Sequence, residues 1–211
     1  MDVHYRLCCG APDASPALSE TVDGQSTWNG TVVDLSSPQT IVRDFSTARH
    51  EAAHAVIAHS LGLSVKSVHI DPVGICRLVK APGDRGHSIA FSVAGPLNDA
   101  LCESGRAKTG TFDFEIVARR VLACWGGRCD HCQAVRAALV IAGLDEPTVA
   151  FRILRRIERQ VVAFLLRPEV EGAVAELATT LMSAGTVAGE EAHAILSRHV
   201  PCGSFTLTVK R

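Results

Sequence analysis

Thr47-Ala48-Arg49-His50-Glu51-Ala52-Ala53-His54-Ala55-Val56-Ile57 is the stretch on which the reading of this chain turns. Residues four apart on an α-helix share a face, so His50 and His54 point the same way, with Glu51 a step round the same surface. The local signals suit a helix. Ser46 or Thr47 can cap its start, and Gly62 can end it. His50, Ala53, His54, Ile57 and Leu61 then fall in one stripe at helical spacing, which predicts a half-buried face carrying both histidines.

The pattern His50-Glu51-x-x-His54 is H-E-x-x-H. Two imidazoles on one helix face can hold Zn²⁺, and the adjoining carboxylate can work as a base on a water beside the metal. That is the minimal equipment of a zinc hydrolase. A catalytic zinc usually takes three protein ligands and keeps one position open, so a third ligand has to come from elsewhere. Ten residues after His50, where a metzincin carries its third histidine, stands Ser60, which excludes that class.

The rest of the chain sets bounds. It has 211 residues, 47 % of them hydrophobic, with 21 basic and 22 acidic side chains and a formal net charge of −1. That length supports one sizeable domain with appendages. The balanced charge gives no reason to expect nucleic acid or an anionic membrane as a partner. No apolar run approaches the roughly 20 residues that span a bilayer, and residues 1–30 lack the order of a secretory signal. The eight cysteines are scattered. Reduced thiols in a cytoplasmic setting are therefore expected.

Residues 1–44 are rich in Ser, Thr, Asp, Gly and Pro and read as a loosely structured arm, with Cys8-Cys9 as two unpaired thiols. Thr31-Val32-Val33 and Thr40-Ile41-Val42 are its candidate strands. After the first helix, Val65 to Ile70 and Cys76 to Val79 read as strands. If the first has a free edge, an extended peptide can pair with it across the metal. Ser88 can cap a second helix with Ile89, Val93, Leu97 and Leu101 on one side, small Ala90, Ala94, Gly95 and Ala100, and a kink or restart at Pro96. His87 reads as a loop residue. Asp113 reads as the cap of a third helix over 113–124. Helices opening at Pro147 and Pro168 and a shorter one over 190–199 follow. Arg152, Arg155, Arg156 and Arg159 read as a solvated helix face, and Phe205, Leu207 and Val209 as a last strand.

His50-Glu51-Ala52-Ala53-His54-Ala55 resembles the HEAGHA signature of the FtsH-type, ATP-dependent zinc metalloproteases, with Ala53 in place of the glycine. The likeness extends to the strand Val65 to Pro72, to the helix Val93-Ala94-Gly95-Pro96-Leu97-Asn98-Asp99-Ala100-Leu101, to the turn Thr109-Gly110-Thr111-Phe112-Asp113, and to the run from Val174 to Leu196. It covers about residues 46–199. The resemblance implies that Asp113, matching the aspartate of the family's Thr-Gly turn, is the third zinc ligand. The match needs a one-residue gap, which keeps Glu115 in play. Asp99 and Glu103 are the alternatives if the second helix supplies the ligand.

The expectation is an α+β protein, mostly α with a small sheet, an FtsH-like peptidase bundle around the H-E-x-x-H helix. Its divisions are 1–44 (arm), 45–200 (metallopeptidase-like domain) and 201–211 (tail). Zn²⁺ is held by His50, His54 and Asp113, and Glu51 is the catalytic base. The chain has no G-x-x-x-x-G-K-[ST] loop and no membrane span, so it is expected to act alone on flexible or unfolded polypeptides, or on chains delivered by an adaptor or ATPase partner. A homo-oligomer is compatible with this. The competing expectation is a non-enzymatic zinc-binding interaction or regulatory module. The insert Cys124 to Cys132, with Cys129 and His131, can be read as a second, structural metal site. Ordinary thiols are the simpler reading, since a second ligand pair is missing.

Overall fold

The computed structural model describes residues 21–22, 25–28, 31–34, 43–71, 74–105, 109–124, 127 and 129–209. Among them, seven helices and two small antiparallel sheets make an α+β fold that is mostly α. β1 (Thr21–Val22), β2 (Gln25–Trp28) and β3 (Thr31–Asp34) form a meander in the order β1-β2-β3. The run 31–33 is thus a strand. The run 40–42 and the Cys8-Cys9 pair lie outside the described residues.

α1 (Phe45–Ser60) is the axis of the second and larger part. Its start is capped by Asp44, whose carboxylate accepts from the N–H groups of Ser46 and Thr47. The cap therefore falls two residues before the earliest one the sequence suggested. A carboxylate there also complements the positive end of the helix dipole. The helix stops at Leu61, just before Gly62. It is not half-buried. Every residue from Glu51 to Leu61 is buried, because Ala52, Ala53, Ala55 and Ala58 are small enough to let neighbours close in on all sides.

Those neighbours are α2 (Arg85–Ser104), α6 (Pro168–Ala184), α7 (Gly189–Ser197) and the strands β4 (Val65–His69) and β5 (Ile75–Leu78). β4 is central in a sheet of order β5-β4-β6, with β6 at Thr186–Ala188. Its edges are both taken, so the free edge near α1 belongs to β5. α3 (Phe114–Cys124), α4 (Asp130–Ala142) and α5 (Pro147–Leu165) complete the bundle, with α4 lying against α2, α3 and α5. Ile57, Ile89, Leu97, Leu139, Leu154 and Leu177 are fully buried in one core. Each such side chain contributes roughly 1.5–3 kcal/mol relative to exposure.

Four local expectations are revised. α2 begins at Arg85 with Asp84 as its cap, whose carboxylate accepts from His87 N–H, so His87 lies in the first turn and not in a loop. Pro96 does not restart the helix: α2 runs unbroken through it. Arg155 is not solvated but is paired to the fully buried Glu158 at 2.6 Å. Residues 204–209 form no strand. They lie against the bundle through Phe205, stacked on Phe164, and through Thr208 N–H donating to the Gln160 side chain.

Candidate metal centre

Three helices build the site. α1 presents His50 and His54 from consecutive turns. α2 crosses beside them at Gly95, where a Cβ would stand 2.3 Å from His50 Nε2. A side chain at this position would collide with that imidazole, so Gly95 makes room for it. α4 points its first residue, Asp130, between the two rings.

The three ligand atoms converge. His50 Nε2 and His54 Nε2 are 3.1 Å apart, and Asp130 Oδ2 lies 3.2 Å from the first and 3.4 Å from the second. A tetrahedral centre with metal–ligand bonds of 2.0–2.2 Å has edges of about 3.3–3.6 Å. The triangle is nearly that size, and the group could hold a metal ion.

The outer faces of the rings settle what the inner ones can do. His50 Nδ1 is 2.7 Å from the Asp99 carboxylate, and His54 Nδ1 is 2.6 Å from the Phe91 carbonyl oxygen. A carbonyl only accepts and an ionised carboxylate only accepts, so both Nδ1 atoms carry hydrogen. The two Nε2 atoms of neutral rings then aim lone pairs at one another and at a carboxylate. Such an arrangement needs a cation in its middle, and carboxylate or carbonyl support behind each histidine is the usual outer shell of a metal site.

Without a metal, protons supply the positive charge. Burial works against a charged His50, but Asp130 and Asp99 outweigh it and raise its pKa to about 10. His54 is likewise raised, chiefly by Asp130 against the cost of burial. Asp130 is held below the usual carboxylate range by the two imidazoles despite its burial. Glu51, 6 % exposed, moves the other way. Burial raises its pKa, and only partly do His54 and His50 offset this. A carboxylate whose pKa is raised by burial is better suited to taking and returning a proton than an ordinary one. The Cys76 backbone N–H of β5 bonds to it. At Gly74 a Cβ would come within 2.6 Å of its Oε1, so the approach of this chain segment to Glu51 requires glycine.

The structure brings together His50, Glu51 and His54 as the motif implied, but not Asp113. The Asp113 carboxylate is exposed and accepts from Glu115 N–H at 2.9 Å and Ile116 N–H at 3.2 Å, capping α3. The Thr109 to Asp113 turn delivers Phe112, which stacks on His131, the residue after Asp130, with ring centroids 4.3 Å apart. Arg155 lies over Phe112, and Gly110 N–H donates to Glu158, so the turn is pinned in that orientation. Glu115 and Glu103 are exposed and outside the cluster. Asp99 is present, but behind His50 and not facing the shared centre.

Asp130 is the residue that sequence reasoning missed as a ligand. It lies 80 residues from His50, inside the cysteine-containing insert. The available signal was the stripe Cys132, Val135 and Leu139, which marks a helix just beyond it and places Asp130 at its first turn. Cys129 and Cys132 are buried, are not joined in a disulfide, and belong to no metal-capable group among the described residues. No helix among the described residues is long and apolar enough to cross a membrane.

No protein-family model matches the chain, and no curated protein matches it.

Proposed function

We propose that this protein is a zinc-dependent metallopeptidase that hydrolyses peptide bonds in flexible or unfolded polypeptides, with His50, His54 and Asp130 as the metal ligands. The convergence of two lone-pair nitrogens and a carboxylate oxygen, with Glu51 beside them, carries this reading. The donor set of two imidazoles and one carboxylate fits Zn²⁺ and leaves a position for water. Bound there, Zn²⁺ would polarise the scissile carbonyl and lower the pKa of a water to about 7.

The chain's own residues do the rest. Glu51 takes the proton of the attacking water and hands it to the departing amine, a role worth roughly 10²–10⁴-fold. Asp99 and the Phe91 carbonyl hold the two imidazoles in the tautomer that keeps Nε2 free. The outer edge of β5, next to Glu51, is where an extended peptide would add as a further strand, its backbone pairing with the edge while its carbonyl reaches the metal. This moves the substrate edge from β4 to β5. The resemblance to FtsH-type peptidases supports the peptidase chemistry. A cytoplasmic setting belongs to the same reading, with which the free thiols of Cys76, Cys102, Cys129, Cys132 and Cys202 agree. Delivery of substrate by an adaptor or ATPase partner also belongs to it.

The test is cleavage of a reduced, alkylated protein substrate by the zinc-loaded chain. Glu51→Gln should keep the metal and lose cleavage, and His54→Ala should lose both. Zinc retained by wild type and Glu51→Gln, with no cleavage by either, would instead favour a non-enzymatic zinc-binding module.

A further inference from the structure

α1 carries a third histidine, His59, in its last turn, and this residue takes no part in the centre above. His59 is 3 % exposed. Its Nε2 lies 3.0 Å from the Val200 carbonyl oxygen. That oxygen can only accept, so Nε2 carries hydrogen and Nδ1 is the nitrogen with a free lone pair. His193 of α7 stands beside it, with ring centroids 5.0 Å apart at 61°. Cys202 follows in the turn after α7. That turn is tied to α1 by Gly203 N–H donating to the His59 carbonyl and Phe205 N–H donating to the Ser60 carbonyl. One ligand atom from each of His59, His193 and Cys202 lies within 4.8 Å of the others. The group borders an open cleft of about 310 Å³, whose wall also carries Glu190.

We propose that His59, His193 and Cys202 form a second transition-metal site, selective for Zn²⁺-like ions and separate from the His50–His54–Asp130 centre. Imidazole and thiolate are the donors that zinc prefers over harder cations, and three of them leave a fourth position for water or the Glu190 carboxylate at the cleft. The three ligands come from α1, α7 and the turn beyond it. A metal there would staple the C-terminal segment to the helix that carries the first centre. His193 and Cys202 are exposed, so the site can load after folding and be emptied without unfolding the core.

The two centres differ in one donor that can be read directly. Only the second contains a thiolate, so only it can give a thiolate-to-metal charge-transfer band when cobalt replaces zinc. The full chain is stripped with chelator and reloaded with Co²⁺, and bound metal and near-ultraviolet absorption are measured. Wild type should bind two ions and show the band. Cys202→Ser and His193→Ala, both at exposed positions, should each bind one ion and lose the band while keeping wild-type helical content. His54→Ala should lose one ion and keep the band, so failure at the first centre is distinguishable from failure here. A wild-type chain that binds one ion without the band overturns the proposal. So does a band that survives in Cys202→Ser.

Discussion

The two ends of α1 solve the same chemical problem in different ways. Near its N-terminal half, His50 and His54 are a turn apart, each is braced from behind, and Asp130 closes the triangle from α4. At its C-terminal end, His59 is braced by the Val200 carbonyl, and its partners arrive from α7 and a surface turn. The first centre is enclosed by packed helices and adjoins a buried carboxylate, Glu51. The second opens on a cleft and has no buried acid beside it. Enclosure with a base is what catalysis needs. Accessibility without one suits a staple. One helix thus carries two metal-capable groups with different surroundings.

The most severe way to break this contrast is to remove the base that only one end possesses. Glu51→Gln should lower peptide cleavage by roughly 10²–10⁴-fold, measured as kcat/KM, with metal content unchanged. Equal metal loss and activity loss would make Glu51 a structural residue instead.

Gly95→Ala comes next. The new Cβ would overlap the His50 ring, and overpacking of this kind costs about 1–3 kcal/mol. Metal titration should show weakened binding at the first centre and unchanged binding at the second. Asp99→Asn should be milder, with a loss of about 10–100-fold in first-centre affinity, since it weakens the support of His50 but leaves the ring in place.

The pH dependence separates metal-free from loaded protein. His50 has a raised folded-state pKa, from 6.5 to about 10, so its contribution to the stability of the metal-free chain is complete below pH 6.5 and is lost as pH rises toward 10. Asp130, with a lowered pKa, contributes above its ordinary value of 3.8 and loses that contribution in acid. The metal-free chain should therefore have its highest unfolding midpoint between these limits and fall on the alkaline side. The zinc-loaded chain should not show that alkaline fall, because metal replaces the proton on the imidazole. Parallel pH profiles for the two forms would contradict a shared site. The smallest effect is that of Cys202→Ser on cleavage, which should be nil within error.

How much of this was readable in the sequence depends on how local the physics is. His50, Glu51 and His54 were legible because a helix fixes their relation within one turn, whatever the rest of the chain does. The small residues of α2 were legible as a close-packing surface, and the structure shows that Gly95 serves His50. Asp130 was not legible, because its position follows from how α4 docks on α2, which no local spacing records. The resemblance placed the third ligand at Asp113. In this chain Phe112 stacks on His131, and Asp113 satisfies the N–H groups of α3. The caps were misplaced for a related reason: Asp44 and Asp84 each stand before a Ser or Thr that would also cap, and the longer reach of a charged carboxylate prevailed. His59 was hidden by the same locality. Its partners arrive 134 and 143 residues later, on elements that only the tertiary fold brings to it.

Asp130 is the residue that completes the proposed first centre. The direct measurement is zinc content in a Cys202→Ser background, which leaves only that centre to be counted. The Cys202→Ser chain should hold one zinc, its Asp130→Ala derivative none, and its Asp113→Ala derivative one. Zinc retained without Asp130 and lost without Asp113 would contradict the assignment.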